Sequence, residues 1–290
     1  MRTIRSVKQM QRLAAALRRK GCRIGFVPTM GFLHAGHLSL VRRARKSSDV
    51  VIVSIFVNPI QFGPGEDFER YPRNLRRDSA LCRSEGVDIL FCPRAAGLYA
   101  GDHSVFVDEH QLSAGLCGAS RPGHFRGVAT VVAKLFNIVQ PDVAVFGQKD
   151  FQQARIVEQM VRDLSFPVRI VVAPTFREPD GLALSSRNVY LAPEERREAV
   201  NLSRSLRKAR ELYRLGERSR AVVERAVRRL LEASGVIRIE YVEFVDRRTL
   251  ARVDRLTDGT ILLLAARLGR TRLIDNMALG RPRSKPTRPV

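Results

Sequence analysis

The sequence predicts an α/β protein: a Rossmann-like parallel sheet domain followed by a smaller C-terminal α+β domain. Up to about residue 175, short apolar segments alternate with helical patterns, and beyond residue 185 two Arg-rich helical segments precede alternating strands. Hydrophobic residues make up 44% and charged residues 28% of 290 residues, which is typical of a folded globular chain. Strands that alternate with helices indicate a parallel sheet with right-handed crossovers.

The elements of the first domain follow from apolar periodicity and its breaks. The first helix is capped by Ser6 and ends at Gly21, and the segment 50–57 is apolar except for Ser54, as a strand covered on both faces should be. The remaining predicted strands are 23–27, 87–91, 143–146 and 168–172. The remaining predicted helices are 38–47, 75–84, 128–138 and 151–164.

The second domain has a different texture. Helices are predicted at 193–214 and 218–233, and strands at 237–245, 261–266 and 271–274. We therefore predict a Rossmann-like domain over 1–175, a small α+β domain over 176–280 and a frayed basic tail over 281–290.

Charge and cysteine content narrow the function classes. Lys and Arg number 51 against 29 Asp and Glu, a net charge of +22 that favours anionic partners without naming one. The basic residues are spread along the chain, as on solvated helix faces. Four cysteines without a C-x-x-C pair predict no disulfide framework and favour a reducing cytoplasm. The start lacks a signal peptide's apolar run, and 50–57 is too short to span a membrane.

Open α/β sheets bind ligands beyond the carboxyl ends of their strands, so the loops there are informative. The loop after the strand 23–27 reads Pro-Thr-Met-Gly-Phe-Leu-His-Ala-Gly-His-Leu. Gly31 and Gly36 would let the backbone approach a ligand, and the following helix offers free N–H groups to phosphate. His34 and His37, three residues apart, would share one helix face and reach the same anion. A zinc site or a structural role remains open.

This loop carries a resemblance. Pro-Thr-Met-Gly-x-Leu-His-x-Gly-His resembles the H-x-G-H signature of the nucleotidylyltransferase superfamily and, in this fuller form, the pantothenate synthetase family. The resemblance implies an ATP site that includes Met30, Gly31, His34 and His37. It implies that both histidines, together with Lys149, are catalytic.

A second motif, 54–63, places Asn58 and Gln61 just past a strand. Amides offer donors and acceptors together, which suits a small hydroxy acid. The family resemblance implies that Gln61 contacts pantoate with Asn58 beside it. Asn58 could instead be a turn residue before Pro59.

A third motif, 146–153, follows the strand 143–146. Gly147 permits close approach of a ligand, and Lys149 is a mobile charge for phosphate. The resemblance adds Asp150 to the ATP site and Gln153 to the pantoate site, although the family often has Glu where Gln148 stands. A surface pair of Lys149 with Asp150 is the alternative.

A fourth motif, 180–188, resembles the family's second nucleotide-binding signature. Its hydroxyls and guanidinium suit a triphosphate. The ATP-binding residues implied here are Phe176, Leu184, Ser185, Ser186 and Arg187. Without the resemblance, the stretch could equally be the N-cap of a helix.

Weaker signals come from two further places. The loop 121–127 resembles a family segment that puts Arg121 and His124 near the substrate. Asp78 stands where the family keeps an acidic residue near magnesium, and a solvated helix charge is equally consistent.

Taken together, the resemblance implies an ATP-dependent ligase that joins pantoate to β-alanine through pantoyl adenylate and releases AMP and pyrophosphate, with Mg²⁺ accompanying ATP. The product is pantothenate, a coenzyme A precursor. It also implies a homodimer. An adenylyltransferase that stops at a dinucleotide is the alternative among enzymes. An RNA-binding protein is disfavoured because the basic helices lack interleaved aromatics, and neither nucleic acid nor membrane is an expected partner.

Overall fold

The computed structural model describes residues 1–280, so the predicted tail at 281–290 lies outside the described residues. The chain divides into two compact units. The first holds Met1–Phe176 and Leu184–Ser186, and the second holds Arg177–Ala183 and the described residues from Arg187 onward. The residues 184–186 thus return to the first unit, although the sequence boundary at 175 placed them in the second.

A six-stranded sheet, parallel throughout, forms the centre of the first unit. Its strands are β1 (Arg2–Ile4), β2 (Ile24–Thr29), β3 (Val50–Ile55), β4 (Ile89–Phe91), β5 (Val143–Gly147) and β6 (Arg169–Ala173). Their order is β1-β4-β3-β2-β5-β6. The strand β1 was not predicted, because Arg2 and Thr3 are exposed and only Ile4 carries an apolar signal.

Helices surround this sheet. They are α1 (Val7–Arg19), α2 (Ala35–Arg45), α3 (Leu75–Ser84), α4 (Ala95–Leu98), α5 (Cys117–Ser120), α6 (His124–Val139) and α7 (Phe151–Asp163). Ser6 caps α1 as predicted, since its Oγ accepts the Gln9 N–H at 3.4 Å. The helix α6 begins four residues before its predicted start, directly after Gly123, whose φ of +79° turns the chain into it.

The strand order creates a switch point at β2. From β2 the chain proceeds to β3 and β4 on one side, and it later returns to form β5 on the other side. The register pairs Gly25 with Val143 and Phe26 with Ala144, so the loops that follow β2 and β5 leave the same edge of the sheet side by side. In open α/β sheets, ligands bind in the crevice between the loops that leave the sheet at a switch point.

Burial of apolar strands stabilises this arrangement. Val51, Ile52 and Val53 of β3 are each 0% exposed, as is Val27 of β2, which confirms the expectation of a strand covered on both faces. The rigid sheet then fixes where the loops at its carboxyl edge begin.

The second unit packs two helices on a three-stranded antiparallel sheet. The elements are α8 (Pro193–Arg214), α9 (Arg220–Glu232), β7 (Ile237–Asp246), β8 (Thr260–Leu268) and β9 (Thr271–Ala278), with sheet order β7-β8-β9. Leu206 of α8, Val227 of α9 and Phe244 of β7 are fully buried in its core. The predicted fold class, a parallel α/β domain with a smaller α+β domain, is confirmed.

Two further observations bear on the environment of the chain. Within residues 1–280 no helix combines the length and the apolar character needed to cross a bilayer. All four cysteines carry free thiols, and Cys82, Cys92 and Cys117 are buried.

Candidate functional site

The loop that follows β2 is held by the hydroxyl of Thr29 and by one distant carboxylate. Thr29 Oγ1 donates to the Ser54 carbonyl at 2.7 Å and accepts the Gly31 N–H at 3.1 Å. Gly31 has a φ of +86°, and a Cβ there would lie 2.9 Å from Ile55 Cγ2. Only glycine fits this turn without strain. Gly31 therefore shapes the loop against the protein itself, and its predicted contact with ATP stays a prediction.

The distant carboxylate is Asp78 of α3. It is 1% exposed, and its two oxygens accept the N–H groups of Phe32 and Leu33, each at 2.8 Å. The alternative of a solvated helix charge is wrong. Both oxygens face backbone amides, and residues 1–280 hold no cluster of three metal-ligating side chains. Asp78 therefore does not suit Mg²⁺, which needs carboxylate oxygens that are free to coordinate it. Its position suits an anchor for the loop.

His34 and His37 lie together at the start of α2. Their ring centroids are 4.0 Å apart with a tilt of 32°, and the His34 N–H donates to His37 Nδ1 at 3.4 Å. Because Nδ1 of His37 accepts a hydrogen bond, the proton of the neutral ring resides on Nε2. A Cβ on Gly36 would lie 2.9 Å from the His34 ring, so this glycine makes room for the imidazole.

Both imidazoles are neutral at pH 7. Burial, followed by the influence of His37 and Lys149, lowers the pKa of His34 to about 3. Burial and then Lys149 lower the pKa of His37 to about 4. Nδ1 of His34 is buried and has no hydrogen-bond partner among the described residues. The pair can thus donate hydrogen bonds to an anion without carrying a charge. A zinc site, which the sequence left open, needs a third protein ligand, and within residues 1–280 no cluster of three such residues occurs.

Lys149 stands beside this pair. It lies in the 3-10 turn Gln148–Asp150, directly after β5, and its charge lowers the pKa of both histidines. Its side chain is 20% exposed and its Nζ lies 3.8 Å from Asp150 Oδ1. The adjacency of β2 and β5 places the ammonium within electrostatic range of both imidazoles, so Lys149 is more than one half of a surface pair.

Open space borders the same edge. A Cβ added to Gly147 would meet no atom within 4 Å. Gln153, the third residue of α7, is half-buried one turn further on. A ligand could therefore approach the backbone at Gly147 and extend along the start of α7.

The segment 184–186 lies against the loop after β2. Ser186 is 7% exposed and its Oγ donates to the Phe32 carbonyl at 3.3 Å. The Leu184 N–H donates to the Phe176 carbonyl at 3.0 Å, and Phe176 packs 3.6 Å from the position of a Cβ on Gly36. The segment leads into the 3-10 turn Ser186–Tyr190 and not into an α-helix.

Ser185 thus stands between Leu184, which is bonded to Phe176, and Ser186, which is bonded to the loop after β2. Arg187 belongs to the second unit, and its role in triphosphate binding stays a prediction.

Gln61 faces the loop after β2 from the neighbouring strand. It ends the 3-10 turn Pro59–Gln61 after β3, and its Nε2 donates to Met30 Sδ at 3.0 Å. Asn58 is 1% exposed and donates from Nδ2 to Gln61 Oε1 and to the Gly127 carbonyl, each at 3.1 Å. Asn58 is therefore not merely a turn residue, because its side chain holds that of Gln61.

Arg121 and His124 contact the backbone of Gln61. His124 Nδ1 donates to the Gln61 carbonyl at 2.8 Å, and its Nε2 accepts from Arg121 Nη1 at 2.9 Å. Burial and then Arg121 lower the pKa of His124 to about 4, so the ring is neutral and can keep this tautomer. Arg121 Nε also donates to Glu66 Oε1 at 2.8 Å.

Sequence reasoning missed two residues here, Glu66 and Tyr99, whose hydroxyl donates to Asn58 Oδ1 at 2.8 Å. Their partners lie 55 and 41 residues away, and neither residue sits in a recognisable motif. No local signal could have revealed them.

Comparisons with known proteins show the family to which the chain belongs. The sequence model of the family described as Pantoate-beta-alanine ligase matches residues 2–278. A pantothenate synthetase of Heliobacterium modesticaldum is 54% identical over 279 residues, covering 96% of this chain and 99% of that protein. The chain belongs to the pantoate–β-alanine ligase family.

Solved structures extend the likeness of this ligase to three dimensions. Pantothenate synthetase from Thermus thermophilus has a TM-score of 0.92 at 49% identity, over 97% of this chain and all of that one. A pantoate-beta-alanine ligase from Francisella tularensis, described as complexed with beta-gamma ATP and beta-alanine, has a TM-score of 0.82 at 35% identity over 96% and 98% of the two chains.

Proposed function

We propose that this ligase joins pantoate to β-alanine at the expense of ATP, by way of pantoyl adenylate, and releases AMP and pyrophosphate. The observation that carries the proposal is the meeting of His34, His37 and Lys149 at the switch point of the parallel sheet. Two neutral imidazole donors and one ammonium suit an anionic phosphate chain.

The chemistry explains why a nucleotide is needed. A free carboxylate is a poor acylating agent because hydroxide would have to leave. In the first step the pantoate carboxylate attacks the α-phosphorus of ATP and pyrophosphate departs. In the second step the amine of β-alanine attacks the acyl carbon and AMP departs. Catalysis then needs alignment and charge stabilisation and no covalent enzyme intermediate.

The imidazoles act as hydrogen-bond donors in this proposal. His37 presents Nε2–H, because its Nδ1 accepts the His34 N–H. His34 and His37 donate to the α- and β-phosphate oxygens as negative charge builds, while Lys149 neutralises the phosphate chain. A neutral donor that is already in place needs no reorganisation during the reaction.

The remaining predicted residues bind and orient the substrates. Gln61 and Gln153 hold pantoate in line with the α-phosphorus. His124 donates to the main-chain carbonyl of Gln61, and Arg121 holds His124. The nucleotide is held by Met30, Gly31, Gly147, Asp150, Phe176, Leu184, Ser185, Ser186 and Arg187.

Three further expectations belong to this proposal. Mg²⁺ accompanies ATP as the counter-ion of its phosphates, and because Asp78 does not suit it, no step is assigned to a protein-bound metal. The ligase works as a homodimer. It resides in the cytoplasm, where a chain with four free thiols would stay reduced.

One assay tests the proposal. The purified protein is mixed with ATP, Mg²⁺, pantoate and β-alanine, and pantothenate and AMP are followed by mass spectrometry. AMP should appear only when both acids are present. Pyrophosphate exchange into ATP should need pantoate alone. A dinucleotide product, or AMP formation that ignores pantoate, would overturn the proposal.

A further inference from the structure

A chain of hydrogen bonds, buried at Asn58 and Gln61 and half-buried at Tyr99, runs from Tyr99 to the side chain of Gln61. The Tyr99 hydroxyl donates to Asn58 Oδ1 at 2.8 Å, and Asn58 Nδ2 donates to Gln61 Oε1 at 3.1 Å. Gln61 Nε2 then donates to Met30 Sδ at 3.0 Å. Asn58 is 1% and Gln61 8% exposed, so water cannot readily replace these partners.

One of the two groups that orient Asn58 is a carbonyl, which can only accept a hydrogen bond. Asn58 Nδ2 lies 3.1 Å from the main-chain carbonyl of Gly127. A carbonyl has no proton to give, so the NH₂ of Asn58 must face it, and the Asn58 oxygen must face Tyr99. The same NH₂ meets Gln61, which must turn its oxygen toward Asn58 and its NH₂ away.

Close packing fixes the position of Gly127. It lies in α6, and a Cβ there would lie 2.3 Å from the Ile60 carbonyl oxygen and 2.7 Å from Gln61 Cα. The helix backbone therefore packs directly on the turn that carries Gln61. The carbonyl of Gly127 cannot withdraw without moving α6.

The Tyr99 hydroxyl is held as a donor. Its ring contacts Phe56 and His103, with centroids at 6.3 and 4.9 Å. Burial raises the pKa of Tyr99, so the phenol keeps its proton.

We propose that Tyr99 is a positioning residue that, together with the Gly127 carbonyl, fixes the polarity of Gln61 through Asn58, so that Gln61 presents N–H donors to an acceptor oxygen of pantoate. This inference rests on the proposed function. The role of Gln61 narrows from an amide that could donate or accept hydrogen bonds to one that donates them to pantoate. It also moves Asn58 from the substrate-binding set, where the sequence placed it, to the support of Gln61.

The present partner of Gln61 Nε2 fits this role. A thioether sulfur is a weak acceptor, so the bond to Met30 Sδ is readily exchanged for one to a carboxylate or hydroxyl oxygen. Met30 itself lies in the loop of the histidine pair. The donor is thereby aimed toward the place where the acid must meet ATP.

The test removes one hydroxyl. Tyr99→Phe leaves Asn58 Oδ1 without its donor, so that only the Gly127 carbonyl still holds Asn58, and through it Gln61, in this orientation. We expect the KM for pantoate to rise about tenfold. Asn58 Oδ1 then lacks its donor, and the Gln61 amide is held less firmly in the orientation that donates to pantoate. The KM for ATP should stay within about twofold, because Gln61 is not in the nucleotide set.

Tyr213→Phe is the matched control. The Tyr213 hydroxyl also donates to a single side-chain oxygen, Asp258 Oδ1 at 2.8 Å, but lies in the second unit. Tyr213→Phe should change Tm about as much as Tyr99→Phe does. It should leave the KM values for pantoate and for ATP unchanged.

A second measurement is read in the wild-type chain, and a variant serves only to assign the signals. With ¹⁵N-labelled glutamine side chains, the Nε2 resonances of Gln61, assigned by their loss in Gln61→Glu, should shift when pantoate is added.

The outcomes separate the two proposals. If the wild-type protein forms no pantoate-dependent AMP, the proposed function fails. If it does, an unchanged pantoate KM in Tyr99→Phe, or equal rises in both KM values, overturns the role of Tyr99. A Gln61 Nε2 signal that ignores pantoate contradicts the donor role directly.

Discussion

The imidazole rings of His34 and His37 lie with their centroids 4.0 Å apart, and the backbone N–H of His34 is bound to Nδ1 of His37. Two stacked rings at this distance cannot both carry a charge in a buried site. Both rings are neutral in the folded chain, and the free energy of unfolding should therefore depend on pH.

The first prediction concerns stability and pH. His34, His37 and His124 have pKa values of about 3, 4 and 4 in the folded chain, below the unfolded value of 6.5. Well above pH 6.5 all three are neutral in both states. As the pH falls from 6.5 toward 4, the unfolded chain takes up protons that the folded chain does not, so the free energy of unfolding falls.

For His37 alone the loss should approach roughly 3 kcal/mol by pH 4. Urea unfolding at several pH values measures it. His37→Gln should flatten the slope over this range, whereas His110→Gln, at an exposed position, should not. An unchanged slope in His37→Gln would show that its pKa is not lowered in the folded chain.

The second prediction concerns catalysis by His37. Removal of its Nε2–H donor in His37→Ala should slow pantoate-dependent pyrophosphate exchange by about 10²–10³-fold, as for loss of one oxyanion donor. The KM for pantoate should change far less. Isotope exchange at saturating ATP measures the first step by itself, and an exchange rate equal to that of the wild type would refute the assigned role.

The third prediction separates loop anchoring from metal binding at Asp78. Asp78→Asn keeps one acceptor oxygen and loses the other, so one of the N–H groups of Phe32 and Leu33 is left unsatisfied. We expect a loss of about 1–3 kcal/mol in the free energy of unfolding. The Mg²⁺ concentration that gives half-maximal activity should stay the same, and a marked rise would restore Asp78 as a metal ligand.

The fourth prediction concerns the open space at Gly147. A Cβ there meets no protein atom within 4 Å, so Gly147→Ala should leave Tm unchanged. If the nucleotide occupies that space, the KM for ATP should rise by about tenfold or more. Gly101→Ala, equally unobstructed but outside the proposed site, is the control. Equal KM values for the two variants would remove Gly147 from the ATP site.

Much of the fold was readable from local pattern. The apolar segment 50–57 became β3, and the polar loops after β2 and β5 reached one edge because parallel strands end together. The strand Arg2–Ile4 escaped prediction because three residues with one buried side chain carry no periodic signal.

The order of residues alone was enough to predict the fold class, the family and the positions of the functional loops, because apolar periodicity and motif spacing are local properties of the chain. The task of each polar group became visible only in the folded chain. Asp78 holds a loop, Gly36 houses an imidazole, and Tyr99 orients an amide 38 residues away. Such roles depend on which atoms meet in a buried place, and there each donor and acceptor must find its partner across long stretches of chain.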